Sequence, residues 1–401
     1  MGLNDTPSAN RFHIGFFGRR NAGKSSLFNA FAGQDIAVVS DTPGTTTDPV
    51  TKSMELLPAG PVVLVDTPGL DDTGELGLKR VVQAKKILRR CDMILLVCDS
   101  IVGFTKEDEE LYGNAMDMNV PCFVIFTKTD LVHGTDSSKD MQNGSPEHPF
   151  RVSVKNLDGV NCLRSKVAEC LSKKEDNRPL ASDLLPAGGT AVLVVPIDKA
   201  APKGRLILPQ QQVARDLLDF GCSAVLARDS ELEKVLSWCS PDIVITDSQV
   251  FGKVASIVPE KTALTSFSIL LARYKKVLGS LVKGAFALDN LKDGDTILIS
   301  EACTHHRQCD DIGTVKLPAM IKSYTGKELS FETSSGMDFP EDLSRYGIVL
   351  HCGGCMIHDR EMKYRIRTAQ DAGIPMTNYG TAIAYMNGIL KRALLPLEGK
   401  Y

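Results

Sequence analysis

No apolar run in this chain approaches the ~20 residues needed to span a bilayer, so no membrane-spanning helix is expected. Met1 to Asn10 is short and polar and lacks the basic-plus-apolar pattern of a secretory signal. An excess of one charge is also lacking: 46 basic residues against 49 acidic ones leave a formal charge of −3. That balance gives no support to a broad nucleic-acid or anionic-membrane surface, although a local basic patch is compatible with it. Cysteine, by contrast, is plentiful. Eleven cysteines, an odd count without a secretory signal, predict a reducing cytoplasm with the thiols serving as core groups, metal ligands or redox groups. A length of 401 residues predicts two or three domains with sizeable cores. Hydrophobic content of 43% and charged content of 24% are ordinary for a globular protein.

Residues 18 to 25, Gly18-Arg19-Arg20-Asn21-Ala22-Gly23-Lys24-Ser25, form a full phosphate-binding loop. The glycines let backbone N–H groups curl around the α- and β-phosphates. Lys24 reaches the β- and γ-phosphates, and the Ser25 hydroxyl binds Mg²⁺. Phe12 to Phe17 reads as the strand before the loop. Ser25-Ser26-Leu27-Phe28-Asn29-Ala30 opens the helix whose N-terminus faces the anion.

Downstream motifs select the nucleotide. Asp66-Thr67-Pro68-Gly69 follows the apolar run Val62 to Val65. A carboxylate at the end of a buried strand holds Mg²⁺, usually through water, and the Gly69 N–H is placed to sense the γ-phosphate. Thr127-Lys128-Thr129-Asp130 follows the run Cys122 to Phe126 and resembles the guanine-reading Asn-Lys-x-Asp motif of GTPases, with Thr in the first place. The Asp130 carboxylate accepts from N1–H and the 2-amino group of guanine, and adenine lacks that donor pair. Ser153-Val154-Lys155 resembles the Ser-Ala-Lys loop that completes the base pocket. Gly44-Thr45-Thr46-Thr47-Asp48 supplies a switch threonine for Mg²⁺, with Thr46 the better candidate by motif position. Residues 10 to 172 therefore resemble a translation-factor-type GTPase of the group that includes the tRNA-modifying and ribosome-assembly GTPases.

Two details bear on turnover. Asn21 sits where K⁺-stimulated GTPases of that group carry an asparagine, and a K⁺ there would take the charge-neutralising part of an arginine finger. The plainer reading is a loop-stabilising asparagine. Leu70, not a water-orienting Gln, follows Asp66-Thr67-Pro68-Gly69, so intrinsic hydrolysis is expected to be slow. Asp71, Asp72 and Glu75 are substitutes for that Gln or a solvated acidic loop.

Lys173 to Pro186, after a helical stretch ending at Leu171, mixes charge, Pro and Ser and reads as a linker. The middle of the chain then alternates. Ala191–Pro196, Ser223–Ala227 and Asp242–Thr246 read as strands, and Gln210–Phe220 and Ser230–Trp238 as helices. On the first helix Val213, Leu217 and Phe220 share a face. The alternation predicts a small parallel α/β domain, assigned to packing or dimerisation because no catalytic constellation stands out. Lys203-Gly204-Arg205 makes no phosphate loop, and Cys222 and Cys239 read as core thiols.

The last part concentrates scarce residues. Four of seven histidines, His305, His306, His351 and His358, lie there with Cys303, Cys309, Cys352 and Cys355. Asp295–Ser300 reads as a strand followed by Cys303-Thr304-His305-His306. Gly347–Leu350 reads as another, followed by His351-Cys352-Gly353-Gly354-Cys355. Both motifs would leave a sheet at the carboxyl ends of strands, where open α/β sheets place ligands. Three readings stand: a structural or redox thiol pair, a zinc site, or an iron–sulfur cluster on three cysteines.

The combination over nearly the whole chain resembles the maturation GTPase of iron-iron hydrogenases, the HydF family, on Cys303-Thr304-His305 and His351-Cys352-Gly353-Gly354-Cys355. The resemblance implies a 4Fe–4S cluster held by Cys303, Cys352 and Cys355, with Cys309 a bystander. The fourth iron ligand is left open among His305, His351, a carboxylate, water or an exogenous group. It also implies a scaffold and carrier that receives a transient two-iron precursor from radical-SAM maturases and delivers it to the apo-hydrogenase. The expected fold is α/β: a P-loop GTPase domain (1–174), a small α/β dimerisation domain (184–262) and an α/β iron–sulfur cluster-binding domain (264–401). The expected activity is slow, K⁺-stimulated GTP hydrolysis with Mg²⁺, in a cytoplasmic homodimer or larger assembly without nucleic-acid or membrane partners. The runner-up is an RNA-modification or ribosome-assembly GTPase with a C-terminal zinc site, and the third class is a nucleotide-gated adaptor with an inert thiol pair.

Overall fold

The computed structural model describes residues 11–33, 50–69, 87–132, 144–173, 178–197, 206–302, 312–336 and 338–399. Thr46, Leu70, Asp71, Asp72, Glu75, Lys203-Gly204-Arg205, Cys303, His305, His306 and Cys309 lie outside them. The chain forms two compact units, residues 1–176 and 177–401.

The first unit is one six-stranded sheet. Its strands are β1 (Phe12–Phe17), β2 (Val50–Leu56), β3 (Gly60–Asp66), β4 (Met93–Asp99), β5 (Cys122–Thr127) and β6 (Phe150–Arg151), in the order β2-β3-β1-β4-β5-β6. Only β2 runs antiparallel to its neighbour. Central β4 is an unbroken apolar run because both faces of a parallel sheet are covered. Edge strand β2 alternates half-buried and exposed residues. Successive side chains feed two cores. Phe16, Leu64 and Leu95 join Phe28 and Phe31 on one face, while Phe17, Val63, Ile94 and Leu96 fill the other. Phe28 and Phe31 come from α1 (Lys24–Ala32), and both rings meet Phe16 edge-on. Helices α2 (Lys106–Asp117) and α3 (Val160–Ser172) complete the described part of this unit.

The second unit contains two four-stranded, all-parallel sheets. One has β7 (Thr190–Val194), β8 (Ser223–Ala227), β9 (Ile243–Thr246) and β10 (Ala263–Ser266), in the order β10-β9-β7-β8. The other has β11 (Thr296–Glu301), β12 (Ser330–Ser335), β13 (Tyr346–His351) and β14 (Met376–Asn378), in the order β12-β11-β13-β14. Helices α4 (Leu208–Asp219), α5 (Leu232–Trp238) and α6 (Phe251–Ile257) belong to the first part. Then come α7 (Phe267–Tyr274), α8 (Leu278–Ala285), α9 (Leu317–Thr325), α10 (Asp359–Asp371), α11 (Tyr379–Met386) and α12 (Leu390–Leu394). One apolar core runs through both sheets, from Leu193 and Ile245 through Leu270 and Leu281 to Leu298 and Val349. Ile297, Ile299, Ile348 and Leu350 face a second core with Leu317 and Ile321.

Two details depart from the sequence pattern. Residues 178–186 are not a loose linker. The backbone N–H groups of Leu180, Ala181 and Ser182 donate to the Asp216 carboxylate at 3.1, 2.8 and 2.8 Å, and Arg273 pairs with Asp183 at 2.6 Å. Phe220 does not join Val213 and Leu217 in the core. It follows the last turn of α4 and is 58% exposed, because the helix ends one residue earlier.

The second core layer also depends on one close approach. Gly284 on α8 lies against β14 so tightly that a Cβ would overlap the Met376 carbonyl. Alanine gains about 1 kcal/mol in helix propensity over glycine. A backbone carbonyl cannot swing aside as a side chain would, so the overlap wins. Gly284→Ala should lower the stability of the second unit by about 1 kcal/mol or more, read from the urea midpoint at unchanged slope.

Candidate functional site

Each unit places its motif residues at the carboxyl ends of parallel strands. In the first, β1 lies between β3 and β4, so the loop after β1 emerges where the strand order turns. Gly18 has φ 142°, and a Cβ there would overlap the Val97 carbonyl oxygen. Asn21 and Gly23 also take positive φ, 59° and 88°, which curls the loop over the start of α1. Ala22 is buried inside the curl and Ser26 is half-buried in the first turn of α1. Lys24 is 7% exposed, and its ammonium donates to the Arg19 carbonyl at 2.6 Å.

Ser25 Oγ, in the first turn of α1, donates to Asp66 Oδ2 at the end of β3 at 2.6 Å, joining the two Mg²⁺-type residues. Asp66 is 8% exposed and its other oxygen, Oδ1, has no hydrogen-bond partner. Burial pushes its carboxyl up; the Ser25 hydroxyl and the Lys24 ammonium pull it back. A buried carboxylate with an unspent oxygen beside a serine hydroxyl fits a hard cation or its water shell. Gly69 lies three residues beyond Asp66, half-buried. Thr46 belongs to the same candidate set and lies outside the described residues.

The base-reading motif is tied to the phosphate loop. Thr127 Oγ1 lies 2.6 Å from the Ala22 carbonyl and 3.2 Å from that of Cys98. The threonine therefore straps the loop through its hydroxyl in place of the usual asparagine amide. Lys128, at φ 59°, donates to the Asn21 carbonyl at 2.8 Å and pairs with Asp99 at 2.6 Å. Asp130 is exposed, and Ser153 Oγ donates to its Oδ1 at 2.9 Å. Val154 and Lys155 follow on the same loop, half-buried and exposed. Asp99 is the member that sequence reasoning missed. Its only signal was an acidic residue closing an apolar strand.

In the second unit, β11 pairs in parallel with β13, with Ser300 opposite His351. The chain leaves β11 toward Cys303, which lies outside the described residues, and leaves β13 through Cys352. The Cys352 N–H donates to the Ser300 carbonyl at 2.9 Å, and the Ala302 N–H donates to Cys352 Sγ at 3.1 Å. Gly354 takes φ 64° and turns the loop toward Cys355, whose thiol burial pushes up. The described cysteines are thiols, not disulfides. Two sulfur donors on a glycine loop, one of them already receiving an N–H, fit an iron–sulfur group held by thiolates.

His351 is wholly buried. Arg365 can only donate, so its Nη1 at 3.0 Å makes His351 Nε2 the acceptor. The ring proton then sits on Nδ1, which lies 2.7 Å from the Cys352 carbonyl. Both ring nitrogens are spent, and burial followed by the Arg365 charge holds the imidazole neutral, down to about 3. His351 thus orients the Cys352 carbonyl and has no lone pair for iron. Arg365, itself 0% exposed, also bonds Glu361 at 2.8 Å and the Gly336 carbonyl at 2.6 Å, and reaches Ser300 Oγ at 3.4 Å. An arginine on an ordinary amphipathic helix gave no sequence signal of this role.

Comparison with known protein families matches residues 13–128 to the 50S ribosome-binding GTPase family. It matches 180–276 to the hydrogen maturase F dimerization domain and 279–396 to the hydrogen maturase F tetramerization domain. The chain is 37% identical over 164 residues to the tRNA modification GTPase MnmE of Chromobacterium violaceum, covering 40% of this chain and 34% of that protein. It is 32% identical over 154 residues to GTPase Der of Campylobacter hominis, covering 38% and 33%. The chain thus spans about a third of the length of these curated relatives. A crystal structure of Era with MgGDPNP and a 16S ribosomal RNA segment aligns at 20% identity and a TM-score of 0.34, over 54% of this chain and 91% of that one. A score that low carries no argument.

The strap from Thr127 to the phosphate loop is testable without nucleotide. Thr127→Val keeps the shape and leaves the Ala22 carbonyl without its donor. It should cost the first unit about 1–3 kcal/mol in denaturant unfolding, whereas Thr127→Asn, which restores a donor, should cost less.

Proposed function

The chain belongs to the hydrogen maturase F family, and we propose that it is a GTP-hydrolysing scaffold and carrier that holds an iron–sulfur cluster during maturation of the iron-iron hydrogenase active site. The observation that carries the reading is the adjacency of β11 and β13, which starts the Cys303 segment and the Cys352–Cys355 loop from neighbouring strand ends. Cys303, Cys352 and Cys355 are the proposed ligands of a 4Fe–4S cluster. When bound, the cluster supplies an iron site at which a two-iron precursor from radical-SAM maturases docks before transfer to the apo-hydrogenase. His351 is not among the ligands, since its ring is committed to Arg365 and the Cys352 carbonyl.

In the first unit, Gly18 and Gly23 let the loop amides of Asn21, Ala22, Gly23, Ser25 and Ser26 surround the phosphates of GTP. Lys24 places its charge on the transferring phosphoryl group. Ser25, Thr46 and Asp66 hold Mg²⁺, and the Gly69 N–H faces the γ-phosphate. Thr127, Lys128, Asp130, Ser153, Val154 and Lys155 form the guanine pocket. Asn21 projects from an exposed, positive-φ position and is the proposed K⁺ contact. Without a water-orienting Gln after Gly69, turnover is slow.

Self-association has a candidate edge. β8 is the last strand of its sheet, with Leu226 46% exposed and Phe220 58% exposed beside it in sequence. Pairing of that edge with a second copy would cover both. Among the described residues no helix is long and apolar enough to cross a membrane.

The reading is checked in four ways. Lys24→Ala should lower GTP turnover about 100-fold or more by removing the principal charge on the phosphoryl group, and Asp130→Asn should relax the preference for GTP over ATP. Equal use of the two nucleotides by the unaltered protein would contradict the assignment. Turnover in KCl should exceed turnover in NaCl at matched ionic strength, and identical rates would remove the role of Asn21. Replacing Cys303, Cys352 or Cys355 by Ala should strip iron and end hydrogenase activation while GTP hydrolysis persists, and Cys309→Ala should leave iron in place. For assembly, Leu226→Glu should reduce the molar mass seen by light scattering if β8 is the contact edge.

A further inference from the structure

We propose that Lys275 is a positioning residue for the cluster loop, and that its buried charge raises the reduction potential of the bound cluster. The inference rests on the reading of Cys352 and Cys355 as cluster ligands.

Lys275 follows the last turn of α7, where its N–H bonds the Leu271 carbonyl at 3.0 Å. At that position a lysine ordinarily faces solvent, yet this one is 5% exposed. Its ammonium donates to the Ile357 carbonyl at 2.7 Å and the Gly354 carbonyl at 3.1 Å, and lies 3.3 Å from Asp359. Two hydrogen bonds and one ion pair thus direct the ammonium at residues 354–359, the stretch that contains Cys355. Gly354 lies outside helix and strand at a φ of 64°, and from the backbone its carbonyl accepts a turn bond from the Ile357 N–H at 3.3 Å. The ammonium adds a shorter bond, 3.1 Å, from 79 residues away.

The clamp also crosses a boundary. Lys275 closes the segment matched to the dimerization domain, and the loop lies within the segment matched to the tetramerization domain. A residue of the first therefore shapes the cysteine loop of the second.

The charge has a second consequence. The ammonium bonds the carbonyl of Gly354, the residue before Cys355, so its charge stands against the cysteine loop. Asp359, 27% exposed in its side chain, offsets part of that charge. Iron–sulfur potentials follow net charge, hydrogen bonding to sulfur and exposure. A cation fixed inside the loop favours the more negative, reduced state. Removing it should lower the potential, and removing its counter-ion should raise it. A purely structural role predicts no such pair of opposite shifts.

The test uses the full chain, loaded anaerobically with iron and sulfide, with iron content and the midpoint potential from an EPR-monitored redox titration as readouts. K275M should hold iron roughly 10-fold more weakly, the scale on which contacts behind metal ligands act, and its remaining cluster should titrate at lower potential. D359N keeps the ammonium on both loop carbonyls. It should retain iron and titrate at higher potential, which keeps the inference testable if K275M does not fold. Unchanged iron and potential in K275M, or an unmoved or lowered potential in D359N, overturns the role of Lys275. If the unaltered chain itself takes up no iron, the cluster reading falls and this inference with it; a loaded unaltered chain matched by K275M removes only Lys275.

Discussion

The parallel pairing of Thr296–Glu301 with Tyr346–His351 is the constraint on which the second unit's chemistry depends. Ser300 lies opposite His351, and one residue later the Cys352 N–H is bonded to the Ser300 carbonyl. A register shift of one residue would turn His351 out of its buried place and move Cys352 to the other face of the sheet. The register is held from behind by Arg365, a fully buried cation whose donors reach His351, Ser300, Glu361 and the Gly336 carbonyl. Such a charge is tolerated inside a protein only when its hydrogen bonds are spent, and removing one partner leaves the rest costly. The two strand ends are thereby fixed by a polar network in which every link is directional.

The first unit has the same geometry at the proposed nucleotide site. Parallel strands end together, and their carboxyl ends supply backbone and carboxylate groups to one edge of the sheet. Gly18 passes so close to β4 that no Cβ fits, and this approach sets the loop's path. Thr127 and Lys128 at the end of β5 then bind that loop through the Ala22 and Asn21 carbonyls. Phosphate cradle and base pocket are mechanically one object, so base recognition and phosphate geometry are expected to respond together.

Legibility followed how directly chemistry restricts residue type. The phosphate loop was readable because only glycine tolerates the close approach at Gly18, and the strands around it because buried parallel strands are unbroken apolar runs. The alternation from 190 to 246 was readable for the same reason. Ser330–Ser335 was not, since an edge strand with Phe331 as its one apolar residue shows no alternation, and Met376–Asn378 is too short to show a period. The motif Cys-Gly-Gly-Cys marked Cys352 and Cys355 as the proposed donors. Lys275, Arg365 and Asp99 stayed hidden because a charged residue ordinarily reads as a solvated face. Their partners lie 29 positions away for Asp99, up to 65 for Arg365 and 79 or more for the carbonyls that Lys275 bonds, and pairing at such separations leaves no local pattern.

The most direct test of the central claim is anomalous X-ray diffraction at the iron edge from crystals of the anaerobically prepared full chain. The account predicts iron bonded to the Sγ atoms of Cys352 and Cys355, with Cys303 as the third sulfur and the His351 ring still turned to Arg365. Zinc at that position, iron elsewhere, or iron bonded to His351 would contradict it.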